Sequence, residues 1–144
     1  MDKKLRHIKT DANGLAHGRG NVYMLQYHLV WCTKYRRPVL CGLAEQTCKE
    51  LLEESAGECG VDIDAMEVMP DHIYVLISAS PQAFIPDVVK ILKGNTARRM
   101  FIRHPGLKKQ LHGGHLWNPS YCVMTVSDRT SEKIKAYIEN QKTE

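Results

Sequence analysis

A chain of 144 residues is the size of one domain with a single core. With 43% hydrophobic and 25% charged residues, no apolar run near the ~18 residues of a membrane span and no apolar segment behind the basic start Met1-Asp2-Lys3-Lys4, it reads as a cytoplasmic globular protein without a secretory signal. The net charge of +4 is modest, and five cysteines without a C-x-x-C pair argue against a disulfide framework or a structural zinc site, leaving reduced, mostly buried thiols.

In chain order, residues 1–21 read as a flexible N-terminal arm, because Asp11-Ala12-Asn13-Gly14 and His17-Gly18-Arg19-Gly20-Asn21 are turn-rich and lack periodicity. Residues 22–144 read as one domain. The aromatic and β-branched stretch 22–33 predicts a strand, closed by the basic turn Lys34-Tyr35-Arg36-Arg37-Pro38. Leu51, Leu52 and Ser55-Ala56 recur at helical spacing within 43–59, and Gly60 suits the C-cap. Residues 61–69 alternate apolar and acidic side chains like a half-exposed strand, and Pro70-Asp71 turns this into a second strand over 72–80. A long helix is predicted over 81–102, with Ile85, Val88, Val89, Leu92, Thr96 and Met100 on one stripe and Lys90, Gly94 and Arg98 opposite. A strand over 118–126 and a C-terminal helix follow, with Ser127, Thr130 and Ser131 as available caps. The order gives an α+β sandwich of the ferredoxin-like or split βαβ kind: a mostly antiparallel sheet, helices on one face, and a further C-terminal helix.

Charge is segregated. Residues 90–109 hold seven Lys or Arg and no acid, whereas Glu45, Glu50, Glu53, Glu54, Glu58, Asp62, Asp64, Glu67 and Asp71 face only Lys49 in 44–71. A basic stripe of this kind favours a polyanion partner over a merely solvated helix face.

Chemistry concentrates at Met69-Pro70-Asp71-His72-Ile73-Tyr74, where alternation puts His72 and Tyr74 on one face while Ile73 and Val75 point into the core. Ile134, Tyr137, Ile138 and Gln141 share one face of the last helix, which is either a buried stripe or a device that delivers a phenol and an amide together. His28 reads as a sheet histidine rather than a ligand, and His7, His17, His104 and His112 as exposed.

Tyr27-His28-Leu29-Val30-Trp31-Cys32-Thr33-Lys34-Tyr35-Arg36-Arg37, Met69-Pro70-Asp71-His72, Leu92-Lys93-Gly94 with Ala97-Arg98-Arg99, Leu116-Trp117-Asn118-Pro119-Ser120-Tyr121 and Tyr137-Ile138-Glu139-Asn140-Gln141 stand in the order and spacing of a known family. From about residue 19 onward the chain resembles the single-tyrosine HUH transposases, the TnpA-type enzymes of insertion sequences that move as single-stranded DNA. The resemblance implies that Tyr137 attacks a DNA phosphodiester to give a 5′-phosphotyrosine, with no nucleotide cofactor. It also implies a divalent ion, Mg²⁺ or Mn²⁺, held by His72, position 74 and Gln141. Position 74 departs from the pattern, since tyrosine stands where the family has its second histidine. Three readings stay open: a weakened but working site, a catalytically decayed hairpin-binding protein, or a site rescued by Asp71 or His115. The resemblance further implies single-stranded DNA hairpins as substrates and a homodimer whose tyrosine helix completes the partner's site. Lys34, Arg36, Arg37, Lys90, Lys93, Arg98 and Arg99 are the candidate DNA-binding residues, and Trp117 either stacks on a base or packs in the core or a dimer interface.

Overall fold

A computed structural model describes residues 6–125, 130–141 and 143. A small hairpin, β1 (Ala16–Gly18) and β2 (Asn21–Tyr23), precedes the main sheet. The sheet contains β3 (Gln26–Cys32), β4 (Asp62–Met69), β5 (His72–Ser78) and β6 (Cys122–Met124) in the order β4-β5-β3-β6, all neighbours antiparallel. Helices α1 (Leu43–Glu58) and α2 (Ile85–Arg103) pack on each other and on one face; a short α3 (Leu107–Gln110) and the final α4 (Thr130–Glu139) complete the fold. The α+β architecture expected from the sequence is the one observed.

Alternation sorts the sheet as its pattern demands. Leu29 and Trp31 of β3 and Ile73, Val75 and Ile77 of β5 are fully buried in one core with Leu51, Leu52, Val88, Val89, Leu92 and Met100 of the two helices. The intervening residues, His28 on β3 and His72 and Tyr74 on β5, therefore occupy the opposite face. At the end of α1, Gly60 sits at φ 72°, and the Val61 and Gly60 N–H groups donate to the carbonyls of Ala56 (3.2 Å) and Gly57 (3.4 Å). This is a Schellman stop, which leads the chain straight into β4.

Three elements differ from their sequence reading. The strand over 22–33 is broken at Met24-Leu25, so its first part joins the β1–β2 hairpin. From Arg6 on, the expected arm docks: buried Asp62 accepts the N–H groups of His7 (2.9 Å) and Ile8 (2.7 Å), and Ile8 enters the interior. Asp62 had been read only as an exposed acid of an alternating strand. Of the described part of the strand expected over 118–126, Cys122–Met124 forms β6, while the Asn118 N–H donates to the Cys32 carbonyl (2.9 Å) and the Asn118 and Ser120 carbonyls accept from Lys93. Val126 and the expected cap and linker residues 127–129 lie outside the described residues, as does the side chain of His112. No described helix is long and apolar enough to cross a membrane.

The acidic and basic segments pack against each other. Arg99 of α2 bridges Glu54 and Glu58 of α1, both at 2.9 Å, and Arg103 reaches Glu50 at 3.5 Å. Part of the positive stripe is thus neutralised inside the molecule.

Candidate active site

The two-residue turn between β4 and β5 is fastened from the chain that leaves β3. The Thr33 N–H donates to the Asp71 carbonyl (3.0 Å), the Leu40 N–H to the Pro70 carbonyl (3.0 Å), and the Thr33 hydroxyl to the Arg37 carbonyl (2.8 Å). Asp71 is held in place by these bonds and presents both carboxylate oxygens. One accepts from His72 Nδ1 at 2.8 Å and the other from Arg36 Nε at 3.2 Å. Because a carboxylate oxygen accepts only, Nδ1 carries the proton of this bond, and in the neutral imidazole Nε2 is then the electron-pair donor. Arg36 reaches this position through an unusual turn, with Tyr35 at φ 55° and Arg36 at φ 54°. Two successive non-glycine residues in the left-handed region store strain of order 1–3 kcal/mol each, of the kind found where a side chain must be aimed.

On the same face Tyr74 Oη is 2.8 Å from His28 Nδ1, with the ring centroids 5.7 Å apart. Burial, and secondarily the charge of Glu67, pushes the Tyr74 phenol above its ordinary pKa, and burial pushes His28 below its own. Both partners are therefore neutral near pH 7, and the buried His28 Nε2 has no partner among the described residues. His28, Arg36, Glu67, His72 and Tyr74 line a groove of about 730 Å³, whose other wall is α4 through Thr130, Ser131, Ile134, Lys135, Ile138 and Glu139.

Tyr137 does not line that groove. Its phenol turns to the β6 side and hydrogen-bonds Ser120 Oγ at 2.8 Å. Burial pushes its pKa up, the Ser120 bond opposes this, and the nearby thiols of Cys32 and Cys122 add to the rise. Gln141, just beyond the end of α4, donates back to the Tyr137 carbonyl at 3.4 Å. Ser120 is positioned by a clamp that the sequence did not reveal. Lys93 Nζ donates to the carbonyls of Asn118 (2.8 Å) and Ser120 (3.1 Å), and burial pushes its pKa down to about 8. Trp117 packs edge-on against Trp31 and donates to the Lys93 carbonyl at 2.9 Å. With 7% of its surface exposed, Trp117 is a core residue.

The expected site residues fall into separate groups. His72 and Tyr74 share the groove, while Tyr137 and Gln141 lie outside its lining. Arg36 is beside His72, and Lys34 and Arg37 belong to the same turn. Lys90, Arg98 and Arg99 are on α2, which covers the opposite face, and Lys93 is engaged by the 118–120 loop. Neither proposed rescuer of position 74 is available to it: Asp71 is bonded to His72 and Arg36, and His115 lines another depression with Lys34, Lys93 and Trp117. Among the described residues no three His, Cys, Asp or Glu are grouped to hold an ion, and His72, Tyr74 and Gln141 do not converge within one chain, so they do not fit a three-ligand ion. Burial disfavours the thiolates of Cys32, pushed up to about 11, and of Cys48, pushed up to about 12, so neither is a nucleophile.

Sequence reasoning missed Asp71 as the partner of His72, His28 as the partner of Tyr74, and Ser120. Alternation alone places His28 and Tyr74 on one face, and a carboxylate directly before His72 was in plain view. Ser120 carried no signal beyond its place in the Asn118-Pro119-Ser120-Tyr121 block.

The family described as "Transposase IS200 like" matches residues 21–141. The chain is 55% identical over 124 residues to the ISDra2 transposase TnpA of Deinococcus radiodurans, covering 86% of this chain and 89% of that protein. It is 30% identical over 131 residues to the transposase for insertion sequence element IS200 of Salmonella typhimurium, covering 91% and 84%. The crystal structure of a candidate transposase from Deinococcus radiodurans superposes with a TM-score of 0.86 at 52% identity, over 89% of this chain and 98% of that one. A REP-associated tyrosine transposase bound to a REP hairpin shares the fold alone, with a TM-score of 0.52 at 13% identity over 92% and 67%. This chain belongs to the IS200-like transposase family.

Proposed function

We propose that this transposase binds single-stranded DNA hairpins and cleaves and rejoins DNA through Tyr137. The carrying observation is the 55% identity to a transposase across most of both chains, joined to a single half-buried tyrosine presented by α4 beside a groove that holds His72. In the cleavage step the Tyr137 oxygen attacks phosphorus, the bond from phosphorus to the 3′ oxygen breaks, and the departing 3′ oxygen takes up a proton in exchange for the one the phenol gave up. The products are a 5′-phosphotyrosine and a free 3′-hydroxyl, and attack by a 3′-hydroxyl on the phosphotyrosine restores Tyr137. Arg36 is the group of the groove suited to bind and orient a phosphate, and His72 Nε2, an electron-pair donor, is suited to an ion beside that phosphate.

Hairpin recognition is supported by the structural neighbour that is bound to a REP hairpin. Arg36 lines the groove and Lys34 and Arg37 flank it in the same turn, with Lys90, Lys93, Arg98 and Arg99 as further contacts of lesser standing because Lys93 and Arg99 have partners inside the molecule. A homodimer is supported by the phenol of Tyr137, which turns away from the groove of its own His72 toward Ser120 although α4 of the same chain forms that groove's wall. Residues 22–144 are the single catalytic domain of this proposal, against which the preceding segment docks from Arg6 on.

The test is incubation with labelled single-stranded hairpins of varied flanks in Mg²⁺ or Mn²⁺. Wild type is expected to give a denaturation-resistant adduct, and Tyr137→Phe to lose it while keeping hairpin affinity; an adduct surviving in Tyr137→Phe refutes the assignment. A second reading, hairpin binding without cleavage, is favoured by one observation, the engagement of Tyr74 by His28. Salt-sensitive hairpin affinity without an adduct in either metal identifies it.

A further inference from the structure

We infer that Tyr74 is not a metal ligand in this chain but the hydrogen-bonded partner of His28, so that of the pair His72 and Tyr74, His72 alone is left to hold an ion. The inference deepens the proposed function and rests on it for the expectation that an ion belongs beside His72.

Three observations carry it. First, the register pairs Val30 with Tyr74 and Cys32 with His72, so His28 lies two residues further from His72 than the strand neighbour of Tyr74 does. Tyr74 Oη reaches His28 Nδ1 at 2.8 Å, so the phenol leans along the sheet away from the His72 end. Second, the two rings are tilted by 30° with their centroids 5.7 Å apart, which is contact along the rings as well as at the polar tips. Turning the phenol toward His72 would break the hydrogen bond and strand His28 Nδ1 in a site where Nε2 already has no partner. Third, His72 is fixed in the opposite sense, its Nδ1 held by Asp71 so that Nε2 is the electron-pair donor. The face therefore presents one imidazole toward an ion and a separate phenol–imidazole pair.

The consequence is a division between free and DNA-bound protein. A hard divalent ion takes several oxygen ligands and keeps waters, and without Tyr74 the sheet offers it in this groove the His72 imidazole and the Glu67 carboxylate, a partial set that a DNA phosphate would extend. Ion binding by this transposase is then weak in the free protein and tightens on DNA.

Mn²⁺ alone, titrated into the full-length protein without DNA and followed by electron paramagnetic resonance, tests this. Tyr74→Phe is expected to match wild type within two-fold, or both to stay below detection, because no ligand is lost. Tyr74→His is expected to bind at least about ten-fold more tightly, the lower end of what even an outer-sphere partner contributes. A loss of more than two-fold in Tyr74→Phe overturns the inference, and so does a Tyr74→His variant that binds no better than wild type. The ring ¹⁵N shifts of His28 are a separate readout: they are expected to change in Tyr74→Phe, and unchanged shifts would refute the pairing. None of these readouts needs cleavage, so loss of the adduct assay and loss of this inference remain distinguishable.

Discussion

At the scale of single residues, the contact between Asp71, His72 and Arg36 is the most consequential. The carboxylate fixes the tautomer of His72 and holds the guanidinium beside it, although neither bond touches the reacting phosphate itself. Asp71→Ala removes both bonds and is expected to lower the rate of adduct formation by about ten-fold or more, since small misplacements of a positioning group carry costs of that order. Retention of the wild-type rate in single-turnover cleavage would refute a positioning role for Asp71. Much of this was legible in the sequence, because alternation put His72 and Tyr74 on one face. The sequence did not disclose the hydrogen bonds, because His28 lies on β3, far from Tyr74 in the chain, and periodicity along a strand says nothing about which strand lies beside it.

At the scale of elements, two clamps hold the segments around the site. Trp117, packed on Trp31 and bonded to α2, fixes the loop that presents Ser120; Trp117→Ala is expected to cost about 3–5 kcal/mol in urea denaturation as a large cavity opens in the core. The first segment is held by Asp62 and Asp64 of β4. Burial of Asp64 raises its pKa, but the hydrogen bonds from Ser78, Gln26 and Arg6, with the charge of Arg6, outweigh this and leave it below its ordinary value. Since the folded-state value is the lower one, its stabilisation is complete above the unfolded value of about 4 and is lost as pH falls through the folded value. The stability difference between wild type and Asp64→Asn is therefore expected to shrink below about pH 4 in thermal melts; a difference independent of pH would contradict the shifted titration. At Gly60 the left-handed backbone is the constraint, as a Cβ there meets nothing within 4 Å. Gly60→Ala is expected to cost about 1–2 kcal/mol, measured by urea denaturation. The helices and the β4–β5 hairpin were plain from their periods and their turn residues. The docking of the N-terminal segment was not, because its hydrogen bonds run to an aspartate that the alternating pattern of β4 marks as solvent-facing.

At the scale of the whole molecule, the sheet divides two kinds of surface. One face is the core under α1 and α2, where acidic and basic segments that look separate in the sequence meet in ion pairs. The other carries the groove with His72, roofed by α4. A charge count along the chain cannot foresee that pairing, because it depends on two helices lying side by side. The family membership, read from five blocks of sequence, proved more informative than the charge. Within one chain the phenol of Tyr137 turns away from the groove that α4 walls, and this is the observation behind the proposed dimer. The account stands most directly on where the DNA becomes attached. Mass spectrometry of the nuclease-trimmed adduct, formed on a single-stranded hairpin substrate, measures this by locating the modified tyrosine. A nucleotide on the peptide carrying Tyr137 is the expected result; a nucleotide on Tyr74, the other phenol beside the His72 groove, would contradict it.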